Sequence, residues 1–211
     1  MMEPKTQEKR KAPVPSVELP QVRLMAITPQ AERVVCLAAR GDYFDGFVAD
    51  ETFESVMAPI EGATLDEKVR NLIALLMKRG HFGPFEHVSA TFGIKGMSRA
   101  CMAQITRHRI ASFDIQSQRY VNFGDQTPED MCWPPSFTED EVKAREHGRH
   151  VITMSVEERR RRVEALYAES LRLYNDLVAA GVPKEDARMV LPEASRVNGT
   201  MTINALSLIH I

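Results

Sequence analysis

Apolar residues recur at helical spacing in two stretches of the chain. Leu65, Val69, Leu72, Ile73 and Leu76 fall on one stripe and predict a helix from Leu65 to Arg79. Thr64 and Glu67 stand three residues apart, as a capping box requires, and Gly80 supplies the stop. A longer helix is predicted from Ser155, again with Glu158 three residues on, through to Ala180. Val163, Leu166, Tyr167, Tyr174, Leu177 and Val178 supply its expected buried face, the RRRR run at 159–162 its solvated start, and Gly181 its end.

Shorter elements fill the rest. Val22–Ile27 reads as a strand, and Thr28 with Pro29 as the cap and first position of a helix through Arg40, stopped by Gly41. After a Gly83-Pro84 turn, His87–Lys95 reads as a strand. A helix from Ser98 follows, with Ala100, Cys101, Ile105 and Met102 inward, and it delivers Gln104 and Arg107 to its C-terminal end. Residues 124–154 are polar and predict loop, with a helix start near Thr138. Pro183 opens a short helix that ends before Pro192, and VNGTMTINA reads as extended chain. Residues 1–20, rich in Pro and charge without apolar periodicity, read as a flexible tail; 21–205 read as one domain.

Composition narrows the classes. The chain has 211 residues, 44% hydrophobic and 27% charged, which suits a soluble globular protein with a substantial core. A formal net charge of −2 gives no global case for nucleic-acid binding, so any anion site must be local. Cys36, Cys101 and Cys132 are widely spaced, without a CxxC pair, which points to a reducing compartment and to no metal centre. No apolar run reaches spanning length and no signal-peptide core is present, so the expected location is cytoplasmic, with no membrane association.

Against that neutral background RHRIASFDIQSQRY, residues 107–120, stands out. The plain reading of Arg107-His108-Arg109 is solvated surface, but three consecutive residues beyond a helix diverge, so the two arginines are positioned for two ligands or two subunits. Guanidinium forks bind phosphate bidentately. Ser117, its neighbouring backbone N–H groups and Arg119 make an anion cradle, without the glycines of a P-loop or Rossmann turn. His81 and Glu86 line a pocket wall beside a tight turn, or the segment is a plain turn with an incidental Glu86/His87 pair. Arg188, between Ala187 and Met189, either aims inward or pairs with Glu185 or Asp186. Residue chemistry alone gives a pocket for a phosphorylated, ring-containing ligand; it gives no reaction.

LMKRGHFGPFEH, KGMSRACMAQITRHRIASFDIQSQRY, GVPKEDARMVLP and TINA occur in the order and at the gaps of the flavin-dependent thymidylate synthases, and the stretch from 22 to 205 resembles that family. The resemblance implies an α+β fold, a small antiparallel sheet packed by helices including one long one, in homotetramers whose active sites lie where subunits meet. It implies conversion of dUMP to dTMP with methylenetetrahydrofolate as carbon donor and hydride from FAD reduced by NADPH. By similarity FAD is held by His81, Gly83, Glu86, Arg107, His108, Arg109 and Asn204. The matching dUMP residues are Gln104, Arg107, Ile115, Gln116, Ser117, Gln118, Arg119 and Arg188. Ser117 is a phosphate ligand rather than a nucleophile, since no base is placed to activate it. Relatives often carry Ser or Thr at Gly83 and an acid at Ile115. Their uracil-polarising Arg follows the segment matching Asn204-Ala205, where this chain reads LSLIHI; those six residues resemble translated sequencing-adapter DNA, which predicts a truncated copy of impaired activity and no assignable catalytic residue. The competing readings are a nucleotide- or RNA-binding module built on Arg107–Arg109, weakened by the low pI of about 6.3 and the lack of an aromatic stacking platform, and an inactive regulatory homologue.

Overall fold

The computed structural model describes residues 19–138 and 153–210. Most of the expected tail, and the centre of the polar segment after Gly124, lie outside the described residues. Four strands form one sheet in the order β1-β2-β4-β3: β1 Gln21–Ile27, β2 Ser89–Ser98, β3 Ser112–Ile115 and β4 Arg196–Asn204. β1 runs antiparallel to β2, from Gln21 opposite Lys95 to Ile27 opposite Ala90, with a bulge between Leu24 and Ala26. β3 runs antiparallel to β4, Ser112 opposite Thr202 and Ile115 opposite Gly199. The helices are α1 Ala31–Gly41, α2 Phe53–Val56, α3 Leu65–Arg79, α4 Arg99–Ile105, α5 Pro135–Thr138, α6 Val156–Ala179, α7 Lys184–Ala187 and α8 Ala205–Ile209.

The residues divide into two compact units. Of the described residues, one comprises 20–96, 101–116 and 197–210; the other comprises 19, 97–100, 117–138 and 153–196. In the first, Val35, Cys36 and Ala39 of α1 pack with Phe53, Met57, Phe85 and Val88 against Val69, Leu72 and Leu76 of α3. The α3 stripe is the predicted one, and its ends are as predicted too. Thr64 Oγ1 accepts from Glu67 N–H, Glu67 reaches back to Thr64 N–H, and Gly80 takes the left-handed φ of 68° that stops the helix. In the second unit Met131, Trp133, Tyr167 and Leu171 form the core, with Trp133 edge-on to Tyr167 and its Nε1 donating to the Pro128 carbonyl.

Four local expectations are corrected. Thr28 does not cap α1; its hydroxyl accepts from Ser89 N–H at 3.0 Å, tying β1 to β2, and Gln30 in a left-handed conformation precedes the helix. In α4 no residue is fully buried and Cys101 is exposed, because the helix is too short to present a whole apolar face. On α6 the buried positions are Val156, Tyr167, Ser170, Leu171 and Tyr174, a phase that turns Leu166 outward to 62% exposure. Ser155 does cap Glu158 N–H, but the Glu158 carboxylate turns to Arg161 and Arg162 instead of closing the box. β3 was not anticipated, being only four residues inside a basic and polar stretch.

Candidate functional site

The proposed nucleotide residues begin where β3 ends. Gln116 N–H donates to the Asn198 carbonyl at 2.8 Å, and Gln116 Oε1 accepts from Asn198 N–H at 3.1 Å. The side-chain oxygen of Gln116 is thus engaged by the end of the sheet. Ile115, half-buried, pairs with Gly199. Gln104 is exposed in the last turn of α4, and Arg107 and His108 follow in turns closed on the Gln104 and Ile105 carbonyls. Arg107 and Arg109 are exposed, and among the described residues neither guanidinium has a hydrogen-bond or ion-pair partner. Two unpaired cations that close together on one turn are suited to an anionic ligand.

The other residues matched to FAD lie in the same unit as this turn. Gly83 opens a 3-10 turn over Gly83–His87, in which Pro84 and Phe85 are buried while Glu86 points to solvent. An added Cβ at Gly83 would meet no atom within 4 Å, so the glycine leaves space beside the turn. His81 Nε2 lies 3.8 Å from Asp42 Oδ2. Asn204 caps α8, its Oδ1 accepting from Ser207 N–H at 2.8 Å, which leaves its amide N–H2 to donate. By their chemistry, unpaired guanidinium groups suit phosphates and a donating amide suits the polar edge of a ring. Leu206 packs on the core of this unit, and the His210 ring sits edge-on to Phe82.

Ser117, Gln118, Arg119 and Arg188 belong to the second unit. Ser117 Oγ accepts from Arg119 N–H at 3.2 Å, so one N–H of the expected cradle is closed on the serine itself. Gln118 is buried. It lines a cleft of about 290 Å3 with Arg99, Arg188, Met189, Leu191, Pro192 and Glu193. Arg188 is half-buried, and its Nε donates to the Glu185 carbonyl at 3.0 Å. The Glu185 carboxylate itself meets Arg119, receiving Nε at 3.1 Å and a terminal nitrogen at 3.0 Å. Among the described residues Arg188 forms no ion pair with Glu185 or Asp186, and the Glu185 carboxylate belongs to Arg119.

Arg99 escaped the sequence reading. It sits at the first position of α4, its N–H bonded to the Ser195 carbonyl, and it enters the cleft from a segment far from Arg188 in sequence. The only available signal was a lone Arg between Ser98 and Ala100, which does not distinguish a cleft residue from surface.

Comparison with known proteins bears on this arrangement. Residues 23–211 match the family model described as thymidylate synthase complementing protein. A flavin-dependent thymidylate synthase of Halobacterium salinarum is 44% identical over 198 residues, covering 90% of this chain and 80% of the relative. One of Geobacter sulfurreducens is 39% identical over 191 residues, covering 90% and 71%. Among solved structures, a UMP/dUMP methylase, PolB, from Streptomyces cacaoi bound with 5-Br dUMP superimposes with a TM-score of 0.70 at 27% identity, over 90% of this chain and 76% of that one.

Proposed function

The chain belongs to the thymidylate synthase complementing family, that of the flavin-dependent thymidylate synthases, and we propose that it methylates dUMP to dTMP with bound FAD. The observation that carries this reading is the cleft where Gln118 and Arg188 meet Arg99. Arg99 and Arg188 line this one small cleft together with Glu193; Ser117 and Arg119 lie in the adjoining turn, and arginine is the side chain suited to a nucleotide phosphate. Arg99 and Arg188 take the phosphate, Gln118 orients it from its buried position, and Ser117 with Arg119 completes the cradle. Gln104, Arg107, Ile115 and Gln116 are assigned to the rest of the nucleotide, Ile115 through its backbone.

FAD, reduced by NADPH, supplies the hydride, and methylenetetrahydrofolate supplies the carbon. His81, Gly83, Glu86, Arg107, His108, Arg109 and Asn204 hold the flavin: the arginines neutralise its phosphates, Asn204 donates its amide, and Gly83 leaves room for the ring system. The protein's share of the chemistry is binding, orientation and charge. The assembly is a homotetramer in the cytoplasm; no described helix is long and apolar enough to cross a membrane.

Purified protein expressed with FAD should be yellow and should form dTMP only when NADPH, dUMP and methylenetetrahydrofolate are all present, at a low rate that follows from the truncation proposed for residues 206–211. A colourless protein that retards RNA would replace this reading with the binding-module alternative. A flavoprotein inert toward dUMP would favour the regulatory one.

A further inference from the structure

We propose that Glu185 is a built-in competitor for the nucleotide phosphate, holding the Arg119 fork when the site is empty and reclaiming it as the product leaves. The inference rests on the assignment of Arg119 to the phosphate. A single carboxylate oxygen, Oε2, accepts from both Nε and a terminal nitrogen of Arg119, at 3.1 and 3.0 Å. That is the edge of the guanidinium a phosphate oxygen would use. Both side chains are about half exposed, at 51% and 49%, so the pair is solvated and opens at small cost. A dianionic phosphate, with three oxygens against one and Ser117 beside it, displaces a single carboxylate.

The same residue also serves the second arginine. The Glu185 backbone carbonyl accepts from Arg188 Nε, and this bond is independent of where the carboxylate points. Glu185 therefore fixes Arg188 through its main chain while its side chain swings clear of Arg119. The two roles separate cleanly: one arginine is held ready, the other is guarded. Because dUMP and dTMP carry the same phosphate, the guard weakens substrate and product binding alike, and it shortens the residence of dTMP. Glu185 is a positioning residue that sets nucleotide affinity.

Titration of the FAD-loaded enzyme with dUMP, dTMP and deoxyuridine tests this. Removing the charge in Glu185→Gln should tighten dUMP and dTMP between about two- and five-fold, the range of an exposed ion pair, and leave deoxyuridine unchanged. KM for dUMP should fall, and dTMP should leave more slowly in stopped-flow displacement. Glu185→Asp, one methylene shorter, lengthens the pair with Arg119; it should shift affinity in the same direction and guards against a Gln variant that fails to fold. Combined with Arg119→Ala, the Gln substitution should give no gain. Unchanged or weaker dUMP binding in both Glu185 variants overturns the proposal, as does equal tightening of deoxyuridine, or a gain that survives without Arg119. Should Arg119→Ala alone leave dUMP affinity intact, the phosphate assignment itself falls, which is a separate outcome.

Discussion

Arginines with different partners should fail differently when removed. Arg188 lines the cleft and forms no ion pair among the described residues, so Arg188→Ala should weaken dUMP by about 1.5–3 kcal/mol, the cost of a charged hydrogen bond. Calorimetric titration would read this as roughly a ten- to hundred-fold rise in Kd, with flavin content unchanged. Arg107→Ala should lower flavin occupancy, read from the visible-to-ultraviolet absorbance ratio. The cysteines give a pH prediction. Burial, with Glu32 nearby, pushes the Cys36 thiol from 9.0 up to about 11. The unfolded thiol ionises first, so this contribution to stability is complete below about pH 9 and is lost as pH rises toward about 11. A wild-type stability curve falling over that window, and flattening in Cys36→Ala, checks the sign. Native protein should show Cys101 reacting with a thiol reagent and Cys36 silent until unfolding.

Elements were legible where local signals agreed and illegible where tertiary contacts outvoted them. α3 has stripe, capping box and stop glycine all in register, and it folds as written. Thr64→Ala should cost about 1 kcal/mol, measured by denaturant unfolding, because it orphans an N–H at the helix start. The start of α1 shows the opposite case. Thr28 and Pro29 spell a helix cap, yet Thr28 bonds across to Ser89, since closing β1 onto β2 satisfies its hydroxyl and an N–H together. α6 was legible in extent but not in phase: Leu166 fits the apolar period and is exposed, while Ser170 is buried and donates to the Val190 carbonyl. Gly124→Ala is a sharper test of that helix. An added Cβ would lie 1.9 Å from Asn175 Oδ1, and Asn175 holds the Gly124 carbonyl through Nδ2 at 3.0 Å. The substitution should lower Tm by several degrees, while Gly83→Ala, with nothing within 4 Å, should leave Tm unmoved.

At the scale of the whole molecule, β1 carries Val22, Leu24, Met25 and Ile27, each more than half exposed on an edge strand. Apolar edge strands left open invite association, so a lone subunit with this surface is not expected to persist in solution. Light scattering on the FAD-loaded protein should give four times the chain mass; a stable monomer at micromolar concentration would remove the tetramer from the proposed function.

Helices that carry their own caps and stripes, a net charge near zero, and a set of segments in family order are all legible from the linear chain. Those features are local or colinear, and a linear reading suffices for them. Tertiary structure alone decided which charges meet. Arg99 and Arg188 are far apart in the chain and share a cleft, while Arg119 finds Glu185 sixty-six residues on. Pairing among surface charges depends on which backbone segments are brought within a few ångströms, and no periodicity records that distance. RHRIASFDIQSQRY therefore advertises a local concentration of cationic side chains; the fold determines that, among the described residues, Arg107 and Arg109 lack a side-chain partner while Arg119 is already occupied.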